Sequence, residues 1–369
     1  MITYIQIENF KSLKKIGLRT STLNLFFGMN GMGKSSVLQS LLLLRQSYLA
    51  NKGSFEALLS NGDLISLGSQ KDILFQKADE HAKIRFFLSF FGGKELDLRY
   101  SYDLKNSDSD SLVLAQDSIG YKDPMPNSIA LFSQEQAFFY LGAEHIGPKK
   151  SYETAGWKNN IGIAGEYAPL YLAKNGSKKI SPNMCSTKAK SDTLFDQVSA
   201  WMSEISPGVR IKAELFSNLE RVKLSMRYEN NRDLTDDFSP VNVGFGIPYV
   251  LPIIITLLIA KEGDLVLLEN PESHLHPRGQ SELAKIIALA ANNGVQVFCE
   301  SHSDHIINGI RVAVKDHILA SDKLGVFYFS KSDNLETQVT VVDIDDKGEL
   351  DTYPEGLLDE WGNLMSQLL

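Results

Sequence analysis

The chain has 369 residues, 43% of them hydrophobic, and a formal net charge of −8. That length can bury a full core and fits one large domain or a core with an inserted lobe, while the acidic balance excludes a global attraction to nucleic acid but leaves room for a local basic patch. Only Cys185 and Cys299 occur, so there is no disulfide framework, and a reducing cytoplasm suits the chain.

Alternation predicts a first strand over Ile2 to Phe10 and a second over Ser21 to Phe27 that ends in a glycine-rich turn. The opening residues lack a basic region followed by an apolar stretch, so no signal peptide is expected. A helix from Ser35 to about Ala50 follows, then two strands between Lys83 and Leu104 around Gly92-Gly93, and a buried strand from Ala130 to Gly142. Residues Gly176 to Ser191 carry Lys178, Lys179, Lys188 and Lys190 without an acid and read as a solvated loop; with Lys149 and Lys150 they form the only basic concentration. Ser191 to Ile205 is amphipathic helix, and Val209 to Tyr228 alternates as strands. The apolar run Tyr249 to Ala260 is too short to span a bilayer and reads as part of a buried helix, Ile247 to Lys261. Strand and helix then alternate: Leu265 to Leu268, Gln280 to Asn292, Val295 to Cys299, Asp304 to Val314, Gly325 to Phe329. Such alternation predicts a parallel sheet with crossover helices.

Gly28-Met29-Asn30-Gly31-Met32-Gly33-Lys34-Ser35 matches GxxxxGK[ST] between a predicted strand and a predicted helix, the setting this phosphate loop requires. The glycines let backbone N–H groups and the helix start face phosphates, Lys34 reaches the outer ones, Ser35 ligates Mg²⁺, and Ser36 follows in the same turn. A nucleoside triphosphate with Mg²⁺ is therefore the expected ligand, and the resemblance below makes it ATP. A phosphate loop also needs a carboxylate at the end of a neighbouring strand for magnesium, and Asp264 to Glu269 offers Glu269.

From Glu269 onward the sequence resembles the ABC ATPases. Their pattern of acid, catalytic glutamate, proline and a short turn is met by Glu269-Asn270-Pro271-Glu272-Ser273-His274-Leu275-His276-Pro277, and Glu300-Ser301-His302-Ser303 stands where the family places its switch histidine. The resemblance makes His302 that histidine, and makes Asn242-Val243-Gly244-Phe245-Gly246 the signature loop, whose Gly244 and Gly246 free N–H groups for the γ-phosphate held by an opposite subunit. One copy of each element implies a head-to-tail homodimer. By the same resemblance Gln70 or a nearby polar residue is the contact to magnesium and water, and Lys11 approaches the nucleotide.

A narrower likeness is to prokaryotic ATPases of the SMC and RecF branch that carry a carboxy-terminal extension, often beside effector genes in anti-phage systems. It rests on Ile7-Glu8-Asn9-Phe10-Lys11, Leu67-Gly68, Gly165-Glu166-Tyr167 and Tyr353-Pro354-Glu355-Gly356. The related OLD proteins append a Toprim nuclease; here Asp343, Asp345 and Asp346 read as a strand end and turn. The histidines His274, His276, His302 and His305 are read as turn, cap and nucleotide residues in preference to a metal cluster.

The expected fold is α/β: an ABC-type core with a mixed or parallel sheet around the phosphate loop, an antiparallel β portion and an inserted lobe, divided as 1–106, 107–237, 238–330 and 331–369. The expected function is an ATP-dependent homodimeric switch acting on a partner effector such as a nuclease, with no membrane. Asn270 stands where the resemblance places the general base, which makes hydrolysis slow or hands the task to Glu272 or to a residue of a partner. The alternatives are a RecF-like DNA-binding repair ATPase and a nucleotide-gated scaffold that barely hydrolyses ATP.

Overall fold

A computed structural model describes residues 1–79, 81–102, 108–118, 129–133, 137–230, 233–244 and 246–368. In chain order it opens with β1 (Ile2–Phe10), β2 (Leu13–Arg19), β3 (Leu23–Phe27), α1 (Lys34–Ala50), β4 (Ala57–Leu59), α2 (Gln70–Ile73), β5 (Lys83–Phe90), β6 (Lys94–Ser101) and β7 (Ser111–Leu114). A middle stretch holds β8 (Phe138–Leu141), β9 (Tyr152–Glu153), α3 (Ala168–Asn175), α4 (Leu194–Ile205), β10 (Val209–Phe216) and β11 (Arg221–Tyr228). Then come α5 (Gly246–Ile259), β12 (Leu265–Glu269), α6 (Pro277–Asn292), β13 (Gln296–Glu300), α7 (Asp304–Lys315), β14 (Leu324–Lys331), β15 (Thr337–Val342) and α8 (Glu360–Leu368). These pack as two units, the first made of Met1–Phe138, Asp322–Ile344 and Leu350–Leu369, the second of Phe139–Ser321 and Asp345–Glu349. The expected boundary at 106 and 107 and the signature residue Phe245 lie outside the described residues.

In the first unit an antiparallel sheet runs β2-β1-β5-β6-β7-β4. Strand β5 shows the logic: Ile84, Phe86, Leu88 and Phe90 are buried while the residues between them are half-buried, the period-2 pattern of a one-sided strand. On the other face Arg85 reaches Asp97 at 2.7 Å and Glu8 at 3.2 Å, tying β6 and β1 to it. The expected β5–β6 hairpin turns through Gly92 and Gly93, whose φ values of 89° and 80° suit glycine. Strand β3, buried throughout, pairs parallel with β14, which pairs antiparallel with β15. Helix α1 buries Val37, Leu38 and Leu41 to Leu44 completely.

Two expectations about this unit are corrected. The second strand is Leu13–Arg19, and the residues expected to form it make a third, Leu23–Phe27; adjacent Lys14 and Lys15 break the alternation that would have announced it. The strand expected from Ala130 to Gly142 is a 3-10 turn, Ala130–Phe132, and a short strand, Phe138–Leu141, with 134–136 outside the described residues. The reason is Arg45: its guanidinium donates to the carbonyls of Ala130, Leu131 and Ser133 at 3.2, 2.7 and 3.1 Å, which an extended chain could not offer together. Burial pulls Arg45 down to about 10, so it stays charged near neutrality. Arg45→Ala would strand buried carbonyls and is expected to cost about 3 kcal/mol, read as a lower urea midpoint, with Arg45→Lys recovering only part of it.

In the second unit β12 and β13 pair parallel, with Glu269 opposite Glu300. Helix α5 is buried from Ile247 to Leu258, as the apolar run predicts; among the described residues no helix is long and apolar enough to cross a membrane. Strands β10, β11 and β9 form a separate antiparallel sheet. The lysine-rich loop is partly neutralised from outside it: Lys179 meets Asp192 at 2.9 Å and Lys188 meets Glu204 at 2.7 Å.

Candidate nucleotide-binding site

The phosphate loop leaves β3 through Gly28, at φ 133°, where a Cβ would stand 2.2 Å from the Phe329 carbonyl oxygen. Gly33 has φ 102°, and a Cβ there would lie 2.7 Å from Ser12 Oγ and 2.8 Å from Thr337 Oγ1. No other residue type fits either position. The Thr337 hydroxyl donates to the Met32 carbonyl at 2.9 Å, so the β1–β2 turn and β15 together hold the loop. Lys34 is 3% exposed, and its ammonium curls back to donate to the Gly28 and Met29 carbonyls at 2.7 and 2.9 Å. Asn30 and Gly31 are exposed, Ser35 is half-buried and Ser36 buried. No side chain of Gly33 can cap α1, and no acid occupies its first turn. An exposed loop of left-handed glycines, a buried lysine and an uncapped helix start make a cradle for phosphate oxygens.

Lys11, at φ 54°, donates from Nζ to Gln39 Oε1 at 2.7 Å. With Ser12 it borders a cavity of about 420 Å³ that Phe75, Lys77, Lys331 and Asn334 also line. Gln70 is buried in α2, and its amide donates to the Ser111 carbonyl at 2.8 Å.

The second unit carries the other assigned residues. Glu269 ends β12; one of its oxygens accepts from Tyr140 Oη and the other from the Ala143 N–H, both at 3.3 Å. Asn270 turns the chain at φ 48°, its N–H donating to the Glu300 carbonyl at 2.9 Å, and its Oδ1 is buried without a hydrogen-bond partner among the described residues. An amide oxygen so placed fits a water or a metal's water shell. Glu272 is buried, and its Oε1 accepts from the His302 N–H at 2.8 Å, fastening the residue expected as the switch. His302 Nε2 stands 4.0 Å from Glu300 Oε1. His276 caps α6 by accepting from the Arg278 N–H at 3.3 Å, and Ser303 caps α7 by accepting from the His305 N–H at 3.0 Å. The caps account for the backbone roles of His276 and His305.

Gly244 is exposed and a Cβ there would meet nothing within 4 Å, whereas a Cβ on Gly246, the first residue of α5, would lie 2.4 Å from the His274 carbonyl oxygen. Tyr140, Ala143, Tyr249, Glu300, Ser12 and Thr337 are the contacts that sequence reasoning missed. Burial and then the Glu269 charge raise the Tyr140 hydroxyl well above its ordinary value, so it remains a donor. Cys299, wholly buried beside Glu272 and Glu300, is likewise held as a thiol.

A family model described as an AAA ATPase domain matches residues 1–241. The chain belongs to this AAA ATPase family. Within this ATPase, residues 186–308 match an AAA domain model whose description names the AbiEii toxin of a type IV TA system, and residues 319–368 match a model described as a protein of unknown function, DUF3696. No curated protein matches the chain. Among solved structures, the SmcHead bound to the C-winged helix domain of ScpA is similar at 16% identity and a TM-score of 0.53, covering 93% of this chain and 98% of that one. The Smc head domain with an extended coiled coil bound to the C-terminal domain of ScpA derived from Pyrococcus furiosus has 13% identity and a TM-score of 0.50, covering 100% of this chain and 99% of that one. The ATPase therefore has the α/β fold of SMC heads, in line with the resemblance its motifs carry.

Proposed function

We propose that this ATPase is a nucleotide-gated homodimeric switch: ATP closes two copies head to tail, and the closed dimer acts on a partner protein. The observation that carries the reading is the phosphate loop, with Lys34 folded onto the Gly28 and Met29 carbonyls between the Ser12 and Thr337 clamps. Arriving phosphates would replace those carbonyls as acceptors. The cavity lined by Lys11 and Ser12 of the β1–β2 turn has a volume suited to the base and ribose.

Ser35 and Glu269 would hold magnesium, which supplies charge neutralisation at the outer phosphates. Gly244, Gly246 and His302 sense the γ-phosphate, the glycines from the opposite copy, so that two complete sites need two chains. Asn270 orients water through Oδ1 but cannot take its proton, which makes turnover slow and the closed state long-lived. A slow clock suits a switch.

The partner reading is supported by the stripe Trp361, Leu364, Met365 and Leu368 on α8, residues 72%, 50%, 36% and 79% exposed at i, i+3, i+4 and i+7. Both similar Smc structures are bound to ScpA domains. The resemblance to ATPases found beside effector genes points to a nuclease in anti-phage defence as that partner. DNA gripping is the less favoured reading, because Lys179 and Lys188 are already paired with acids.

Gly244→Glu tests the closure directly. The site has room for a side chain and no left-handed φ, so the fold should tolerate it. We expect ATP affinity within about twofold of wild type and no ATP-driven dimer, since a carboxylate would face the γ-phosphate. A variant that dimerises like wild type would remove the signature loop from the mechanism.

A further inference from the structure

The Glu269 carboxylate is not isolated from the glycine turn that begins α5. One of its oxygens accepts from the Ala143 N–H, and the carbonyl of that same residue accepts from the Tyr249 hydroxyl at 2.9 Å. Tyr249 lies in the first turn of α5. Its ring stacks on His145 with centroids 4.0 Å apart, and its backbone carbonyl lies 3.0 Å from His145 Nδ1. Its other side meets the edge of His274 at 5.2 Å, and the carbonyl of His274 closes on Gly246. Tyr140, at the end of β8, donates to the second oxygen of Glu269. The segment from Tyr140 to His145 is thus bonded at one end to the magnesium carboxylate and at the other to the helix that presents Gly246.

We propose that Tyr140 and Tyr249 are positioning residues that couple magnesium binding at Glu269 to the conformation of the first turn of α5. This rests on the nucleotide reading above. The two bonds to Glu269, at 3.3 Å, are at the long end of the hydrogen-bond range and readily altered, whereas the Tyr249–Ala143 bond is of ordinary length. When the carboxylate turns to a cation, Ala143 moves with it and draws on Tyr249. The peptide unit of Ala143 is the rigid link; loss of the Tyr249 hydroxyl breaks its tie to α5, and loss of the Tyr140 hydroxyl removes one of the two bonds that tie the 140–145 segment to Glu269.

The test uses the full chain as wild type, Tyr140→Phe, Tyr249→Phe and the double variant, each phenylalanine keeping the ring. Calorimetry gives ATP affinity without magnesium and the magnesium midpoint at saturating ATP; amide exchange follows the 246–259 peptide with ATP alone and with Mg-ATP. We expect wild type to gain protection in that peptide only when magnesium is present. Each single variant should raise the magnesium midpoint about fivefold and lose the protection response, leaving magnesium-free ATP affinity unchanged. The double variant should be no worse than the weaker single, because both residues act in one chain of contacts. Additive shifts, or a Tyr249→Phe protein that keeps its α5 response, would overturn the proposal. Wild type that binds ATP no better than Lys34→Ala would overturn the nucleotide reading and the coupling with it, whereas normal binding with an α5 response blind to magnesium would overturn the coupling alone.

Discussion

Lys34→Ala is expected to lower ATP affinity by about two to three orders of magnitude while leaving the fold intact. The ammonium is buried and bonded to two carbonyls of its own loop, so in the free protein it stands ready with its desolvation already met. Exchanging neutral carbonyls for phosphate oxygens turns ordinary hydrogen bonds into charge-assisted ones, about 3 kcal/mol for the lysine's share. That corresponds to about a hundredfold or more in dissociation constant. Removing the side chain also frees the Gly28 and Met29 carbonyls, but the loop is exposed at Met29 to Gly31, where water can replace the lysine, so the unfolding midpoint should move little. Fluorescent-nucleotide titration checks the first part and urea unfolding the second. An affinity loss below about threefold would show that the loop does not bind nucleotide through Lys34.

Asn270→Asp is expected to raise ATP turnover about a hundredfold, with ATP affinity nearly unchanged. The substitution keeps the size of the side chain and suits the left-handed φ of 48°, which aspartate and asparagine both tolerate. It turns the buried Oδ1, which has no hydrogen-bond partner among the described residues, from an amide oxygen into one that can accept a proton. Two acids close by, Glu269 before it in the chain and Glu300, whose backbone carbonyl accepts from residue 270, would push the new carboxyl upward, towards the range useful to a general base at neutral pH. Glu272→Gln is the companion. A glutamine retains an oxygen for the His302 N–H, so turnover should stay near wild type. Phosphate release under saturating Mg-ATP measures both. A hundredfold fall in Glu272→Gln, with no rise in Asn270→Asp, would assign the proton transfer to Glu272 instead.

What could be read in the sequence was whatever is contiguous. Gly28 to Ser35 announces strand end, loop and helix start in one run, and the left-handed glycines stand where that pattern needs them. The parallel alternation from Leu265 to Phe329 and the hairpin at Gly92-Gly93 were legible for the same reason, since periodicity and turn chemistry are local. The contacts that escaped reading join distant residues. Thr337 reaches Met32 across 305 positions, Tyr140 reaches Glu269 across 129, and Arg45 gathers a turn that begins 85 residues later. A threonine on a short strand, or a tyrosine after a phenylalanine pair, looks like any other strand residue until the fold brings its partner. Gln70, assigned through the family resemblance, is buried with its amide donating to the Ser111 carbonyl, a partner 41 positions away that no local pattern shows. Helix α3 is only eight residues long, too short to carry a strong period.

The measurement that bears most directly on the switch is molar mass in solution by light scattering, on wild type and Lys34→Ala, each with and without Mg-ATP. Wild type is expected to double its mass with Mg-ATP, and Lys34→Ala is not. A mass indifferent to both nucleotide and substitution would contradict the switch.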